Sequence, residues 1–209
     1  MVWNGLCPGE GRMLGGTKLT PLGIAALSLL TEREMHPYEM FQTLMGRRED
    51  VIVKVKPGSL YHTVNRLAEA ELVEAAGTER DGNRPERTTY RITRAGRYAL
   101  RSRVGEMLAT PAIEYPEFPV AMSKAHDLDR GEVVEHLRSR MKVLERDAAV
   151  LRGALADLAP QKPRVILLDI EYMAAQRESE IAWLGALLDD IEAGAVEWPA
   201  HSAIGEESL

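Results

Sequence analysis

Residues 57–73 read PGSLYHTVNRLAEAELV, and this stretch decides the fold because its apolar and polar residues separate on a helix. At about 100° per residue, Leu60, Val64 and Leu67 fall within about 60° of one another and form a stripe to be buried. His62, Asn65 and Arg66 then project on the opposite side, flanked by Ser59 and Tyr61. Groups that converge suit catalysis, whereas these diverge outward and suit contact with something outside the protein. A merely solvated helix face is the plain alternative.

The flanking sequence supplies the context. Thr20-Pro21 is a cap followed by proline at the first helical position, and LGIAALSLL carries Leu22, Ala26, Leu27 and Leu30 on one side, predicting a helix to about Thr31. EREMHP breaks it, and Pro37 opens a second helix with Met40, Phe41 and Leu44 facing inward. The basic, β-branched VIVKVK leads into Pro57. Beyond Val73 the period changes: LVEAAGTE and TTYRIT are β-prone and flank RDGNRPER, whose Asp-Gly and Arg-Pro dipeptides predict a turn between antiparallel strands. Thr93 caps a further helix, RAGRYALRSRVGEML. Three helices, a hairpin and a helix are the order of a winged helix-turn-helix.

Charge sharpens this reading. From Arg80 to Arg103 there are eight arginines against Asp81 and Glu86, with Arg84 and Arg87 at the hairpin tip. Such a tip suits the minor groove, while the first turns of a helix suit base edges in the major groove. Arg pairs with guanine and Asn with adenine; Ser59 and Tyr61 can donate to phosphates. The DNA contacts are therefore expected at Lys56, Ser59, Tyr61, His62, Asn65, Arg66, Arg80, Arg84 and Arg87. The net charge of −6 conceals an asymmetry: residues 17–105 hold 15 Lys and Arg against 11 Asp and Glu, and residues 106–209 hold 10 against 20. One half tolerates a polyanion and the other repels it.

The second half has a different period. Val134, Leu137, Met141, Leu144, Ala148, Leu151, Leu155 and Leu158 alternate spacings of three and four, an uninterrupted heptad seam ended by Pro160 and Pro163. A second long helix carries Ile166, Ile170, Met173, Ile181, Leu184, Leu188 and Ile191, with Arg177 where the seam predicts an apolar group. Between the halves, TPAIEYPEFP places three prolines in ten residues, a stiff linker. The expected organisation is a mobile extension over 1–16, a winged-helix domain over 17–109, a proline-containing linker over 110–126, a helical dimerisation domain over 127–198 and a disordered tail over 199–209. Val134, Leu137, Met141, Leu144, Leu151, Ile181, Leu184 and Leu188 are expected at a dimer interface, with an intrachain helical hairpin as the alternative. Two-fold symmetry would let two recognition helices meet half-sites about one DNA turn apart. Tyr172, Met173, Arg177 and Trp183 are candidate effector ligands: an aromatic acid could stack there and meet the guanidinium. The alternative places Trp183 in the dimer core and lets Arg177 reach water or Glu180.

Several chemistries find no support. At 45% hydrophobic and 28% charged residues the composition is globular, and 5% aromatic residues favour helices over a large β-sandwich. The longest apolar run, LGIAALSLL, is of core length, and the first 16 residues lack the basic start and apolar centre of a secretory signal, so no membrane partner and a cytoplasmic setting are expected. Cys7 stands alone, and the histidines at 36, 62, 126, 136 and 201 show no ligand spacing, so neither metal nor cofactor is expected. GRMLGGTK, residues 11–18, has Thr17 where a phosphate-binding loop needs lysine, and Ser139 with Lys142 lies on a long surface helix. No acid, base and nucleophile converge, so no enzymatic activity is expected.

GSLYHTVNRLAEAELVE resembles the recognition helix of the PadR family of bacterial transcriptional regulators, and RPERTTYRITRAGRYAL resembles that family's wing and following helix. LTPLGIAALSLL and HPYEM resemble its first two helices, and ESEIAWLGALLDDIEAG is a looser match, so the resemblance spans nearly all of Leu19 to Trp198. It implies a mainly α fold, a winged-helix DNA-binding domain followed by a long-helix dimerisation domain, with repression as the usual activity. Many members release double-stranded DNA when a small, often phenolic or drug-like, effector binds. The first 16 residues depart from the family pattern, and Met13 is an alternative start that an intact mass including residues 1–12 would exclude. The combined expectation is a homodimeric transcription regulator, a repressor on a near-palindromic operator. The competing class is a winged helix that docks an acidic protein partner, which would lack the steep salt dependence of phosphate binding.

Overall fold

The computed structural model describes residues 19–79 and 87–198, without the side chains of residues 78, 79 and 87. The expected N-terminal extension, with Cys7 and Met13, and the expected tail lie outside the described residues, as do Arg80 and Arg84. The chain divides into two compact units, Met1–Glu114 and Tyr115–Leu209.

The first unit contains α1 (Pro21–Glu32), α2 (Pro37–Gly46), α3 (Pro57–Glu69), β1 (Val73–Glu79), β2 (Arg87–Ile92) and α4 (Arg94–Ala109). Thr20 starts α1 as the sequence predicts: its Oγ1 accepts the Gly23 amide at 3.1 Å, and Pro21 needs no partner for an N–H. Burial on α1 exceeds one stripe, since Ala25 and Leu29 are buried along with Leu22, Ala26, Leu27 and Leu30. The reason is that α1 is contacted by α2, α3, β2 and α4, so it forms the centre of the unit. Met40 and Leu44 of α2 are fully buried, whereas Phe41 is only partly so. In α3, Leu60, Val64 and Leu67 enter the same core.

The hairpin is antiparallel, with Val73 opposite Ile92 and Glu79 opposite Arg87; Ala76 is the extra residue of a bulge between Ala75 and Gly77. Met35, in the stretch that breaks α1 from α2, exchanges two backbone hydrogen bonds with Tyr90 and covers the other edge of β2. Surface ion pairs brace the helices. Arg47 donates both terminal nitrogens to Glu32, at 2.6 and 2.7 Å, and Arg33 pairs with Glu39. These hydrogen bonds hold the Glu32 and Glu39 carboxyls below the usual carboxylate range. A depressed carboxylate pKa stabilises the fold at neutral pH, and that contribution disappears as pH falls through the folded-state value. Because Glu32 is about half exposed, Glu32→Gln is expected to cost under about 1 kcal/mol at pH 7 and to flatten the acid side of the stability curve, read by urea unfolding between pH 7 and pH 3.

The second unit contains α5 (Glu117–Ser123), α6 (Arg130–Leu158) and α7 (Leu168–Glu192), with short 3-10 turns at Ala125–Asp127 and Arg164–Ile166. Part of the stretch expected to be linker is therefore helical. Pro119 sits in the first turn of α5, where it removes no intrahelical hydrogen bond. α6 opens with a capping box: Asp129 accepts the Glu132 amide, and the Asp129 amide donates to Glu132 Oε2 at 3.1 Å. α7 starts at Leu168, which leaves Ile166 outside it and exposed.

α7 folds back on α6. Arg138 with Glu192, Arg140 with Glu180 and Arg152 with Glu178 link the two helices, and Arg130 donates to the C-terminal carbonyls of Ile191 and Glu192. Between them Val133, Leu137, Leu144, Leu184, Leu188 and Ile191 form one apolar core. Four residues expected between chains, Leu137, Leu144, Leu184 and Leu188, are thus buried within this hairpin, while Val134, Met141, Leu151 and Ile181 are partly buried. A heptad pattern identifies an apolar face without specifying whether its partner is covalently connected.

Candidate nucleic-acid interface

The buried stripe of α3 fixes what its other faces present. With Leu60 and Val64 at 0% exposure, His62 and Asn65 are turned to solvent, as are Lys56 and Ser59 at the start of the helix. Pro57 at the first helical position supplies a preset φ, and Thr63 Oγ1 donates to the Ser59 carbonyl at 2.8 Å. Tyr61 is 39% exposed and packs edge-on against His36, with ring centroids 5.7 Å apart. His36 is itself held because its Nδ1 accepts the Tyr38 amide at 3.1 Å. This contact, from the start of α2 to α3, orients the Tyr61 ring; the sequence placed Tyr61 on a flank without indicating what held it.

Arg66 has a different setting from Asn65. It is exposed, yet it borders a cleft of about 290 Å3 with Leu19, Thr20, Gly23, Thr63 and Glu69, on the side facing the first turn of α1. The structure thus gathers Ser59, Tyr61, His62 and Asn65 on the outward surface and sets Arg66 at its margin. Arg87 begins β2 opposite Glu79, and Arg80 and Arg84 fall outside the described residues.

Part of the arginine excess is already engaged. Arg91 Nε donates to Glu74 Oε1 at 2.8 Å, with Glu34 at 3.9 Å from the same side chain, and Arg103 pairs with Glu106 at 2.6 Å. The Glu74 bond raises the Arg91 pKa further, so this side chain stays charged but committed to the sheet. Arg94, Arg97 and Arg101 of α4 are exposed.

In the second unit, Arg177 and Trp183 border an open depression with Gln176, Ser179 and Glu180. Tyr172 and Met173 do not border it. The Tyr172 hydroxyl accepts from Gln176 Nε2 at 2.9 Å, and Arg177 Nε lies 4.0 Å from Asp147 Oδ2 without a hydrogen-bond partner. Among the described residues, no group of three or more His, Cys, Asp or Glu is placed to hold a metal ion, and no helix is long and apolar enough to cross a membrane.

A helix pair whose second member presents polar groups outward, followed by an antiparallel hairpin, defines a winged helix-turn-helix, the class of fold in which one helix reads a DNA groove. Residues 26–102 match the model of the Transcriptional regulator PadR-like family. That match bears out, over those residues, the resemblance read from the sequence. Members of that family are regulators rather than enzymes.

Solved structures carry the same fold. Bacillus subtilis PadR in complex with operator DNA aligns with a TM-score of 0.68 at 18% identity, covering 82% of this chain and 99% of that one. The same protein in complex with p-coumaric acid gives 0.68 at 17% identity, covering 82% and 98%. The Vibrio cholerae virulence activator AphA gives 0.59 at 19% identity, again covering 82% and 98%. At these identities the likeness concerns fold alone. Comparison with curated proteins finds no match.

Proposed function

We propose that this protein is a sequence-specific repressor that binds a near-palindromic operator as a homodimer and is released by a small effector. The observation that carries the reading is the outward row Ser59, Tyr61, His62 and Asn65 on a helix whose opposite side is locked into the core. His62 and Asn65 are the proposed base readers, Lys56, Ser59 and Tyr61 the phosphate contacts, and Arg80, Arg84 and Arg87 the wing contacts. Arg66, at the margin, reaches the groove wall. PadR of Bacillus subtilis, solved with operator DNA and with p-coumaric acid, supports both the DNA partner and an effector.

The proposed dimer uses what the hairpin leaves uncovered. Val143 and Val150 lie one heptad apart on α6 and are 48% and 71% exposed, and Tyr172 and Trp183 of α7 are 65% and 50% exposed. Large exposed apolar side chains in such rows mark association surfaces. The domain organisation proposed from the sequence is kept with one change: α5, expected in the linker, joins the second unit, whose core Phe118 and Met122 pack against, and 127–198 remains the proposed dimerisation domain.

A gel-shift titration with salt, using DNA recovered with the purified protein, tests the reading. Binding should weaken steeply as salt rises, and the recovered sequences should contain an inverted repeat. Salt-insensitive binding would favour the acidic-protein docking module instead. Asn65→Ala is expected to reduce the preference for operator over random DNA by about 1–3 kcal/mol, whereas Arg84→Ala should weaken both and lower the salt slope by about one phosphate. Equal effects of the two variants on both DNAs would refute this division.

A further inference from the structure

α4 carries a positive stripe that the groove contacts leave unused. Arg94, Arg97 and Arg101 fall within about 60° of one another at about 100° per residue, and Tyr98, 76% exposed, lies beside them. The opposite side of the helix holds Gly96, Ala99, Leu100 and Arg103, which are buried or half-buried, so the stripe points away from the core. Among the described residues none of the three guanidiniums makes a hydrogen bond or ion pair, whereas Arg91 and Arg103 are engaged by Glu74 and Glu106. No carboxylate occurs from residue 94 to residue 105, so nothing on this part of α4 neutralises the stripe.

This surface is distinct from the one that α3 presents. α1 packs against both α3 and α4, and each of those helices turns its exposed side away from α1. The chain leaving α3 meets α4 at its first turn, where Gly96 lies against the Leu72 carbonyl. A duplex held against Ser59, His62 and Asn65 therefore leaves Arg94, Arg97 and Arg101 open. From Arg94 to Arg101 the helix rises about 10.5 Å, and duplex DNA carries one charge per about 3.4 Å of each strand, so three guanidiniums span about three phosphates. Arginine meets phosphate in bidentate geometry, and the Tyr98 hydroxyl can donate to a further oxygen. Protein interfaces centre on an apolar core, and beside these arginines only Ala95 and Tyr98 supply apolar surface.

We propose that the α4 stripe holds a second DNA segment by its phosphates, without sequence preference, while α3 and the wing hold the first. The protein thereby bridges two duplex segments. The first contact rests on the DNA reading above; the second rests on the α4 geometry. Contacts to phosphate alone carry no sequence information, so the second segment need not contain an operator.

The test uses the full chain at low salt with two random duplexes, one immobilised on beads and one labelled in solution. Retention of the labelled duplex on the beads reports bridging, and a gel shift of a single duplex reports binding at α3 and the wing. The unaltered protein should retain the labelled duplex. Arg94→Gln, Arg97→Gln and Arg101→Gln combined should lower retention at least about fivefold while gel-shift affinity stays within about twofold, because only the second set of phosphate contacts is removed. The combined Arg→Lys changes keep the charge and should keep the retention. Absence of retention by the unaltered protein, or undiminished retention by the Arg→Gln variant, overturns the proposal. A parallel fall in gel-shift affinity also overturns it, by putting the stripe on the duplex that α3 reads. A changed oligomeric state in sedimentation would put a second copy there instead, and displacement by polyglutamate better than by duplex of equal charge would make the stripe a protein-docking surface; both overturn it. The DNA reading fails separately, by absence of the gel shift in the unaltered protein.

Discussion

Gly96→Ala is expected to destabilise the winged-helix unit by about 3 kcal/mol or more. Gly96 lies in the first turn of α4, where a β-carbon would collide with the carbonyl oxygen of Leu72 and approach Ile92 Cγ1 to 2.9 Å. The obstacle is backbone, not the end of a flexible side chain. That carbonyl is also fixed, since it accepts the Thr93 amide at 3.1 Å and shares the single Thr93 hydroxyl proton, at 3.1 Å, with the nearer Glu71 O at 2.8 Å, while the hydroxyl oxygen caps α4 by accepting the Gly96 amide at 3.0 Å. Relief requires α4 to retreat from the α3–β1 turn, which breaks these bonds and loosens Ile92 in the core. Overpacking alone costs about 1–3 kcal/mol, and each lost hydrogen bond adds about 1. Urea unfolding should show the loss, with DNA binding reduced in parallel. Gly58→Ala is the control: nothing lies within 4 Å of its would-be β-carbon, and alanine favours a helix by up to about 1 kcal/mol. If Gly96→Ala unfolds at the same midpoint as the parent, this account of the α3–β1–α4 junction is wrong.

Such junctions explain which parts of the molecule were legible in the sequence. Leu60, Val64 and Leu67 announced the inner side of α3, and Thr20 and Thr93 announced helix starts, because period and capping are local properties. The outward direction of His62 and Asn65 followed from the same period. Gly96 carried no local sign of its role, since its neighbour Leu72 is distant in sequence. Met35 was read as part of a break, yet pairs with Tyr90 across the sheet edge. The Phe118–Arg140–Glu180 cluster was likewise illegible, because three elements contribute one residue each and none shows an anomaly alone. Periodicity says which side of a helix is apolar; it does not say what will cover it.

Leu184→Ala distinguishes the two possible coverings of the heptad seam. Leu184 is fully buried with Val133, Leu137, Leu144, Leu188 and Ile191, all from the same chain. Truncating such a leucine removes its transfer free energy and leaves a cavity, together worth about 2–5 kcal/mol. Because the partner helix is covalently connected, the expected loss is the same at low and high protein concentration. A seam closed only between chains would instead give a loss that shrinks as concentration rises, by mass action. Lysine at Val143 and Val150 should behave in the opposite way, leaving the hairpin folded and weakening association, because both side chains are exposed in the single chain. Urea unfolding at two concentrations with sedimentation equilibrium separates these outcomes. The consequence for DNA follows from symmetry: an inverted repeat rewards two α3 helices held at one spacing, whereas a half-site needs only one. Leu184→Ala should therefore weaken binding to the full repeat more than to a half-site, and equal weakening would mean that the hairpin does not set the spacing.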